Sequence, residues 1–319
     1  MDPQASLLRT SEAPAAGSAG ARRPRGSRLL LGAAGAWCRF EALLAQQADV
    51  RRRAFFTRVL DSVQRVSGAA MGAALNVDEK SELTVMLYDD RPALKADGSD
   101  LFEIESALFA KRLPPPPSRI LVGACGTGRE AVALAAQGYS VDAFDPAPEC
   151  VAESGRRLAG RGRVERLSYE QLSASVIDGA GGDGWRHIRF DAVVLGCGSL
   201  SHVLDEREQR RLMRALHALC PTGPVIASFL WLEAPSAGPP AGRAARLGNR
   251  IGRTIARLRG MSPCDSRRLS YRARRGFAYT FSQRELEDLA LAVGRRVCWE
   301  RYAARPSPYA TFLPIAASA

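Results

Sequence analysis

Apolar and polar positions follow two rhythms along the chain. Between Ala36 and Ala70 the apolar residues recur three and four apart: Phe40, Leu43, Leu44, then Phe55, Phe56, Val59, Leu60 and Val63. That spacing predicts two helices. A further helix is expected from Asp100, as N-cap, to Leu113. It stops at Pro114–Pro117, since consecutive prolines cannot continue a helix and form a stiff extended connector.

After the connector, short apolar runs alternate with helical stretches. Strands are expected at Arg119–Gly123, Tyr139–Phe144, Val164–Leu167, Phe190–Leu195 and Pro224–Leu230. Helices are expected at Glu130–Gln137, Ala147–Ala159 and Asp205–Cys220. Such alternation means βαβ units and a parallel sheet covered on both faces, an α/β fold. The end of the chain differs. Ser282-Gln283-Arg284-Glu285 is a capping box opening a helix that Gly294 closes. Arg296–Tyr302 and Tyr309–Ile315 follow, joined by Arg305-Pro306-Ser307-Pro308. A connection this short allows no parallel crossover, so these last strands should be antiparallel.

Length adds that 319 residues are enough for one large domain with an appendage. Residues 1–28 read as a disordered tail of Ala, Ser, Pro, Gly and Arg, 29–117 as a helical N-terminal region, and 118–319 as the main domain with an insertion at 232–281. No run reaches the roughly 18–20 apolar residues of a membrane span. Arg22-Arg23 precede the apolar stretch Leu29–Trp37, but that stretch is too short and glycine-diluted for an export signal. Seven cysteines without a C-x-x-C spacing, and only three histidines, suggest buried reduced thiols in a cytoplasmic protein and no metal site.

The net charge of +12 is local. Residues 1–53 hold nine Arg against four acids, and 243–275 hold eleven Arg against Asp265, so the remainder is slightly acidic. A general nucleic-acid surface is therefore not implied.

Candidate chemistry concentrates in Arg119–Asp145. A strand runs into a glycine-rich turn that opens a helix, and an acid ends the next strand, nineteen positions after Gly126. Glycines permit sharp turns and close backbone approach, a helix start offers N–H groups, and the carboxylate can accept both hydroxyls of a ribose. This describes a nucleoside site. Gly126-x-Gly128-x-x-Ala131 also satisfies the dinucleotide pattern, so an NAD-dependent oxidoreductase competes, although the chain ends in a hairpin rather than a second mononucleotide-binding half.

Ile120-Leu121-Val122-Gly123-Ala124-Cys125-Gly126-Thr127-Gly128 resembles the first motif of class I S-adenosylmethionine-dependent methyltransferases. The resemblance covers roughly 118–315. It implies a Rossmann-like methyltransferase fold, a seven-stranded, mostly parallel sheet with an antiparallel last strand, here with an N-terminal helical extension. It implies S-adenosylmethionine as cofactor, with the turn Ala124, Cys125, Gly126, Thr127 and Gly128 around its methionine end and Asp145, followed by Pro146, on the ribose. Val122 stands where the family often has an acid, and Ala124 replaces its first glycine. Ser168, beside Tyr169, replaces an adenine-side Asp and can still bond the adenine amino group.

The resemblance also places the loop after the fourth strand, Gly196-Cys197-Gly198-Ser199-Leu200-Ser201-His202, against the methyl group. There His202 is either a general base or a residue capping or packing beneath the next helix. The loop lacks the Asn/Asp-Pro-Pro-aromatic signature of enzymes acting on base or glutamine amines. Tyr88 either reaches the methionine carboxylate or anchors a lid, and Tyr279 either orients or deprotonates an acceptor or packs in the core. The aromatics of 276–281 are expected to line an acceptor pocket.

In the insertion, Leu247, Ile251, Ile255 and Leu258 form one helical stripe, and Arg246, Arg250, Arg253 and Arg257 an adjacent one. This basic amphipathic helix, 243–259, suits an acidic ligand, a membrane surface or nucleic acid, or is the solvated face of a lid. A small-molecule acceptor is expected, and a non-catalytic adenosyl-cofactor sensor is the third reading.

Overall fold

The computed structural model describes residues 25–46, 53–90, 100–180, 184–231, 242–261, 268–272, 275–300 and 308–315. Three helices open it: α1 (Arg25–Gln46), α2 (Arg53–Ala74) and α3 (Val77–Asp89). After α4 (Glu103–Arg112) come β1 (Arg119–Gly123), α5 (Arg129–Ala136), β2 (Ser140–Asp145), α6 (Pro148–Leu158), β3 (Gly162–Arg166), α7 (Tyr169–Ser173), β4 (Ala192–Leu195), α8 (Glu206–Leu219) and β5 (Val225–Ser228). The insertion holds β6 (Leu230–Trp231), α9 (Arg243–Leu258), β7 (Leu269–Arg272) and β8 (Gly276–Phe281). Finally come α10 (Gln283–Leu291), β9 (Arg295–Glu300) and β10 (Tyr309–Pro314).

The main sheet has seven strands in the order β3-β2-β1-β4-β5-β10-β9. β10 runs antiparallel to both of its neighbours, and the other six strands run one way. The expected Rossmann-like α/β sheet with an antiparallel last strand is therefore the one formed. Side chains alternate between the faces, as the pleat requires. Leu121, Val193, Leu195 and Phe312 pack with α8 and α10, while Ile120, Val122, Val141 and Val194 pack with α4 and α5. A third apolar cluster joins Leu31 and Cys38 of α1, Leu83 and Leu87 of α3, and Phe277 of β8.

Several expectations are corrected. α1 begins at Arg25, inside the stretch read as a tail, and residues 1–24 lie outside the described residues. The connection 301–307 lies outside them too. α4 starts at Glu103 rather than after Asp100, because the Phe102 N–H donates to the Glu105 carboxylate (2.9 Å). α3 was not anticipated, although Asn76 and Glu79 form a full capping box.

α9 packs through Gly248, Gly252 and Ala256, which let the backbone of α2 come close. A Cβ on Gly248 would overlap the Val66 carbonyl oxygen, and one on Gly252 that of Ala70. Leu247 (54%), Ile251 (43%) and Leu258 (84%) are left exposed.

Candidate active site

The turn after β1 carries unusual backbone. Ala124 (φ 47°), Gly126 (φ 54°) and Gly128 (φ 84°) all adopt left-handed conformations. A non-glycine residue such as Ala124 there is strained, a feature that concentrates at ligand sites. A Cβ on Gly126 would meet no atom within 4 Å, so space lies over this backbone. A Cβ on Gly128 would strike Ser154, so the second glycine serves the packing of α5 on α6.

Asp145, at the carboxyl end of β2, is buried. Its Oδ2 accepts the Gly126 N–H (2.8 Å) and its Oδ1 the Ala147 N–H (2.9 Å). The Gly128 N–H goes to the Cys125 carbonyl (2.9 Å). The two glycine amides expected to face a cofactor are thus spent inside the protein, and that of Gly126 aims Asp145. Burial pushes the Asp145 carboxyl up to about 6, against the lowering effect of the two N–H donors.

The other expected cofactor residues divide. Thr127 accepts from Arg157 through its carbonyl (3.0 Å). The Cys125 side chain is buried beside Ser154, and its pKa is driven up by burial, so it is a packing thiol. The half-buried Pro146 follows Asp145 directly. Ser168 is committed as N-cap of α7, accepting the Gln171 N–H (3.2 Å). Tyr169 is buried and donates to Ser199 Oγ (3.0 Å) beneath the loop after β4.

That loop repeats the left-handed backbone at Cys197 (φ 52°), a strained non-glycine position, and at Gly198 (φ 79°). Gly196 has no room for a Cβ, which would overlap Glu130 Oε1. Cys197, expected among the buried thiols, is exposed. His202 ends the loop in a short 3₁₀ turn, with Nδ1 3.1 Å from the Phe277 carbonyl oxygen. A carbonyl only accepts, so Nδ1 carries the proton, and in the neutral ring Nε2 accepts the Tyr88 hydroxyl at 3.2 Å. Burial, with Arg275 nearby, lowers the His202 pKa, so the imidazole is neutral at pH 7. His202 and Tyr88, separate candidates in the sequence, form a pair.

The end of α3 spans the cleft. Tyr88 meets the loop after β4, and Asp89 accepts the Glu149 N–H (2.9 Å) at the start of α6, after β2. The cavity beside His202 and Tyr88 is also lined by Gly198, Ser270, Arg272 and Ala278 and encloses about 20 Å³. That is room for about one water. Tyr279 faces away from it. Its hydroxyl donates to Glu285 (2.8 Å), and its ring packs 4.9 Å from Phe281. Phe277 and Phe281 are likewise core, so the aromatics of β8 do not line the cavity; Gly276 and Ala278, on the opposite face of the strand, do.

One constellation was missed. Arg129, the first residue of α5, makes a bidentate pair with Glu105 of α4 (2.5 and 2.8 Å) and also reaches Glu130 (2.7 Å) and Cys197 Sγ (3.1 Å). Tyr309 of β10 donates to Glu105 (2.7 Å), and the Phe102 ring lies over the guanidinium (4.1 Å). Burial alone would raise the Glu105 pKa, but the bonds from Arg129 and Tyr309 outweigh it and lower it; burial raises that of Glu130. Ligand atoms of Glu105, Glu130 and Cys197 lie within 4.8 Å of one another, but Arg129 already supplies the positive charge there. The usable signal was Glu105 itself, an acid beside the core residues Leu108 and Phe109 of its helix.

No protein-family model matches the chain, and no curated protein matches it. Solved structures do resemble it. One is 1,6-didemethyltoxoflavin-N1-methyltransferase from Burkholderia thailandensis, with bound 1,6-didemethyltoxoflavin and S-adenosylhomocysteine (20% identity, 74% of this chain and 86% of that one, TM-score 0.47). Others are magnesium protoporphyrin IX methyltransferase from Synechocystis with bound SAM (14%, 76% and 99%, 0.45) and an amino pentose methyltransferase from Micromonospora echinaspora, also SAM-bound (15%, 67% and 89%, 0.45). Likeness at this level leaves the activity of this chain to be judged from its own residues.

Proposed function

We propose that the chain is an S-adenosylmethionine-dependent methyltransferase acting on a small-molecule acceptor. The observation that carries this reading is Asp145, held by two backbone N–H groups at the tip of β2 beside the open face of Gly126. The sheet supports it: beyond β5 comes the antiparallel β10, not the parallel second half of a dinucleotide fold. This counts against an NAD-dependent oxidoreductase.

When bound, the cofactor supplies a methyl group on a sulfonium, open to in-line displacement. The protein's own tasks are then few. Asp145 accepts the ribose hydroxyls. Gly126 and the Gly196–Gly198 loop permit close approach. Tyr88 and Asp89 hold the end of α3 across the cleft, which excludes water. The nearly closed cavity requires α3 or the β7–β8 pair to shift for an acceptor to enter. An acceptor that displaces the Tyr88 hydroxyl meets His202 Nε2, a neutral imidazole able to take its proton. The imidazolium that forms keeps its Nδ1–H on the Phe277 carbonyl.

The test is transfer of labelled methyl from S-adenosylmethionine to a panel of phenols, amines, thiols and carboxylic acids. The wild-type protein should label at least one class. His202→Ala should cut the rate by about 10²-fold or more while S-adenosylhomocysteine still binds. Binding of S-adenosylhomocysteine without transfer to any acceptor would instead favour the sensor. Full turnover by His202→Ala would remove the base.

A further inference from the structure

The face formed by α1 and α9 is unlike the rest of the surface. Among the described residues, six of the ten most exposed large apolar side chains lie on these two helices: Leu29, Trp37, Phe40, Leu247, Ile251 and Leu258. Concentration of this kind marks a contact surface, whereas scattered single residues would not.

One of them, Trp37, lines an apolar groove between the two helices. It has a volume of about 520 Å³, with α1 (Leu30, Trp37) and α9 (Ile255) as walls and α2 (Val63, Val66, Ala70) as floor. Ile251 and Leu258 stand one helical turn to either side of Ile255, and the Phe40 ring lies 5.7 Å from that of Trp37.

The charge on the same helix is of one sign. α9 carries Arg243, Arg246, Arg250, Arg253 and Arg257 and no acid. Arg246, Arg250, Arg253 and Arg257 are exposed, on the flank beyond Leu247 and Ile251. This arrangement exists because α9 is attached by its glycine face: Gly248 and Gly252 lie against the backbone of α2, and Arg259 fixes the end through the Ala74 carbonyl (2.7 Å), Ser27 (3.0 Å) and Glu79. The exposed Leu247, Ile251 and Leu258 and the arginine flank lie off that packed glycine face.

We infer that the α1–α9 face docks onto an anionic lipid bilayer. α9 lies in the interfacial plane, with Leu247, Ile251 and Leu258 entering the acyl boundary and its arginines at the level of the lipid phosphates. Trp37, with its indole N–H on Glu41 (2.7 Å) and its ring on the groove, suits the same depth. A nucleic acid would use the arginines but leave the three aliphatic side chains and the groove in water. The bilayer satisfies both flanks.

Co-sedimentation with vesicles tests this independently of any cofactor, so its failure would leave the methyltransferase reading untouched. The expected result is binding to phosphatidylcholine vesicles containing phosphatidylglycerol, about tenfold or more above binding to phosphatidylcholine alone. The triple change Leu247→Asp, Ile251→Asp and Leu258→Asp should abolish it, as should Arg246→Gln, Arg250→Gln, Arg253→Gln and Arg257→Gln combined. Both variants alter exposed positions and should keep the wild-type melting temperature, which separates lost docking from lost folding. Tryptophan emission should shift to the blue on vesicles, and Trp37→Phe should remove the shift. Three results would each overturn the inference: no binding to the anionic vesicles, unimpaired binding by the aspartate variant, or a dimer in solution that buries the groove. Displacement from the vesicles by duplex RNA, to which the aspartate variant binds as well as wild type, would reassign the face to nucleic acid.

Discussion

Arg129 occupies the first turn of α5, where a cation meets the positive end of the helix dipole. It is tolerated because Glu105 and Glu130 supply two buried carboxyl groups, with side-chain exposures of only 2% and 7%. Removing the cation leaves both without a charge partner. Arg129→Ala should therefore lower stability by about 3–5 kcal/mol near neutral pH, read by urea denaturation. The loss should shrink in acid, where the carboxyl groups become neutral. A cost below about 1 kcal/mol would mean the pair behaves as an exposed one. Side chains close in sequence were readable at this scale: the Gly126–Asp145 spacing identified the carboxylate and the turn it faces. The partners of Arg129 were not readable, since Glu105 and Tyr309 come from α4 and β10, and no spacing links them. Tyr88 and His202 were each singled out, but not their hydrogen bond across 114 residues.

At the scale of elements, α9 forms at the expected period, while its packed face was left unassigned by the sequence. Its residues repeat at helical spacing in three directions: large apolar, arginine and small. Bulk hydrophobicity draws attention to Leu247, Ile251 and Leu258, yet backbone contact selects Gly248 and Gly252. Gly252→Leu must push α2 and α9 apart at the Ala70 carbonyl, so it should cost about 1–3 kcal/mol or more, measured by thermal or urea melting. Leu247→Ser, on the exposed flank, should change stability by less than about 0.5 kcal/mol. The reverse order would make the Leu/Ile side the packed one. The strands were legible because four- to six-residue apolar runs between turn residues have few alternatives. α3 escaped notice because its core contribution is thin, with Leu83 and Leu87 the only aliphatic residues it fully buries, and α7 because five residues carry no period.

For the whole molecule, the sheet order sets where chemistry can occur. The carboxyl ends of β1, β2 and β4 converge, and the strained turns at Ala124 and Cys197 sit on two of them. α3 crosses over these ends, an arrangement fixed by long-range packing against β8 and the region after β4 and so invisible to local patterns. Asp145 links this architecture to pH. Its folded pKa, raised to about 6, lies above the usual carboxylate value. The ligand-free protein should therefore lose stability from this group as pH rises from about 4 to about 6, since the folded state binds the proton more tightly. Binding that needs the ionised carboxylate should strengthen over the same window. The most direct test is calorimetric titration with S-adenosylhomocysteine near neutral pH and again near pH 5. One site, silence toward NADH, about tenfold weaker binding in acid, and loss of binding in Asp145→Ala are the results expected. No heat with S-adenosylhomocysteine, or an Asp145→Ala protein that takes it up like wild type, would contradict the assignment.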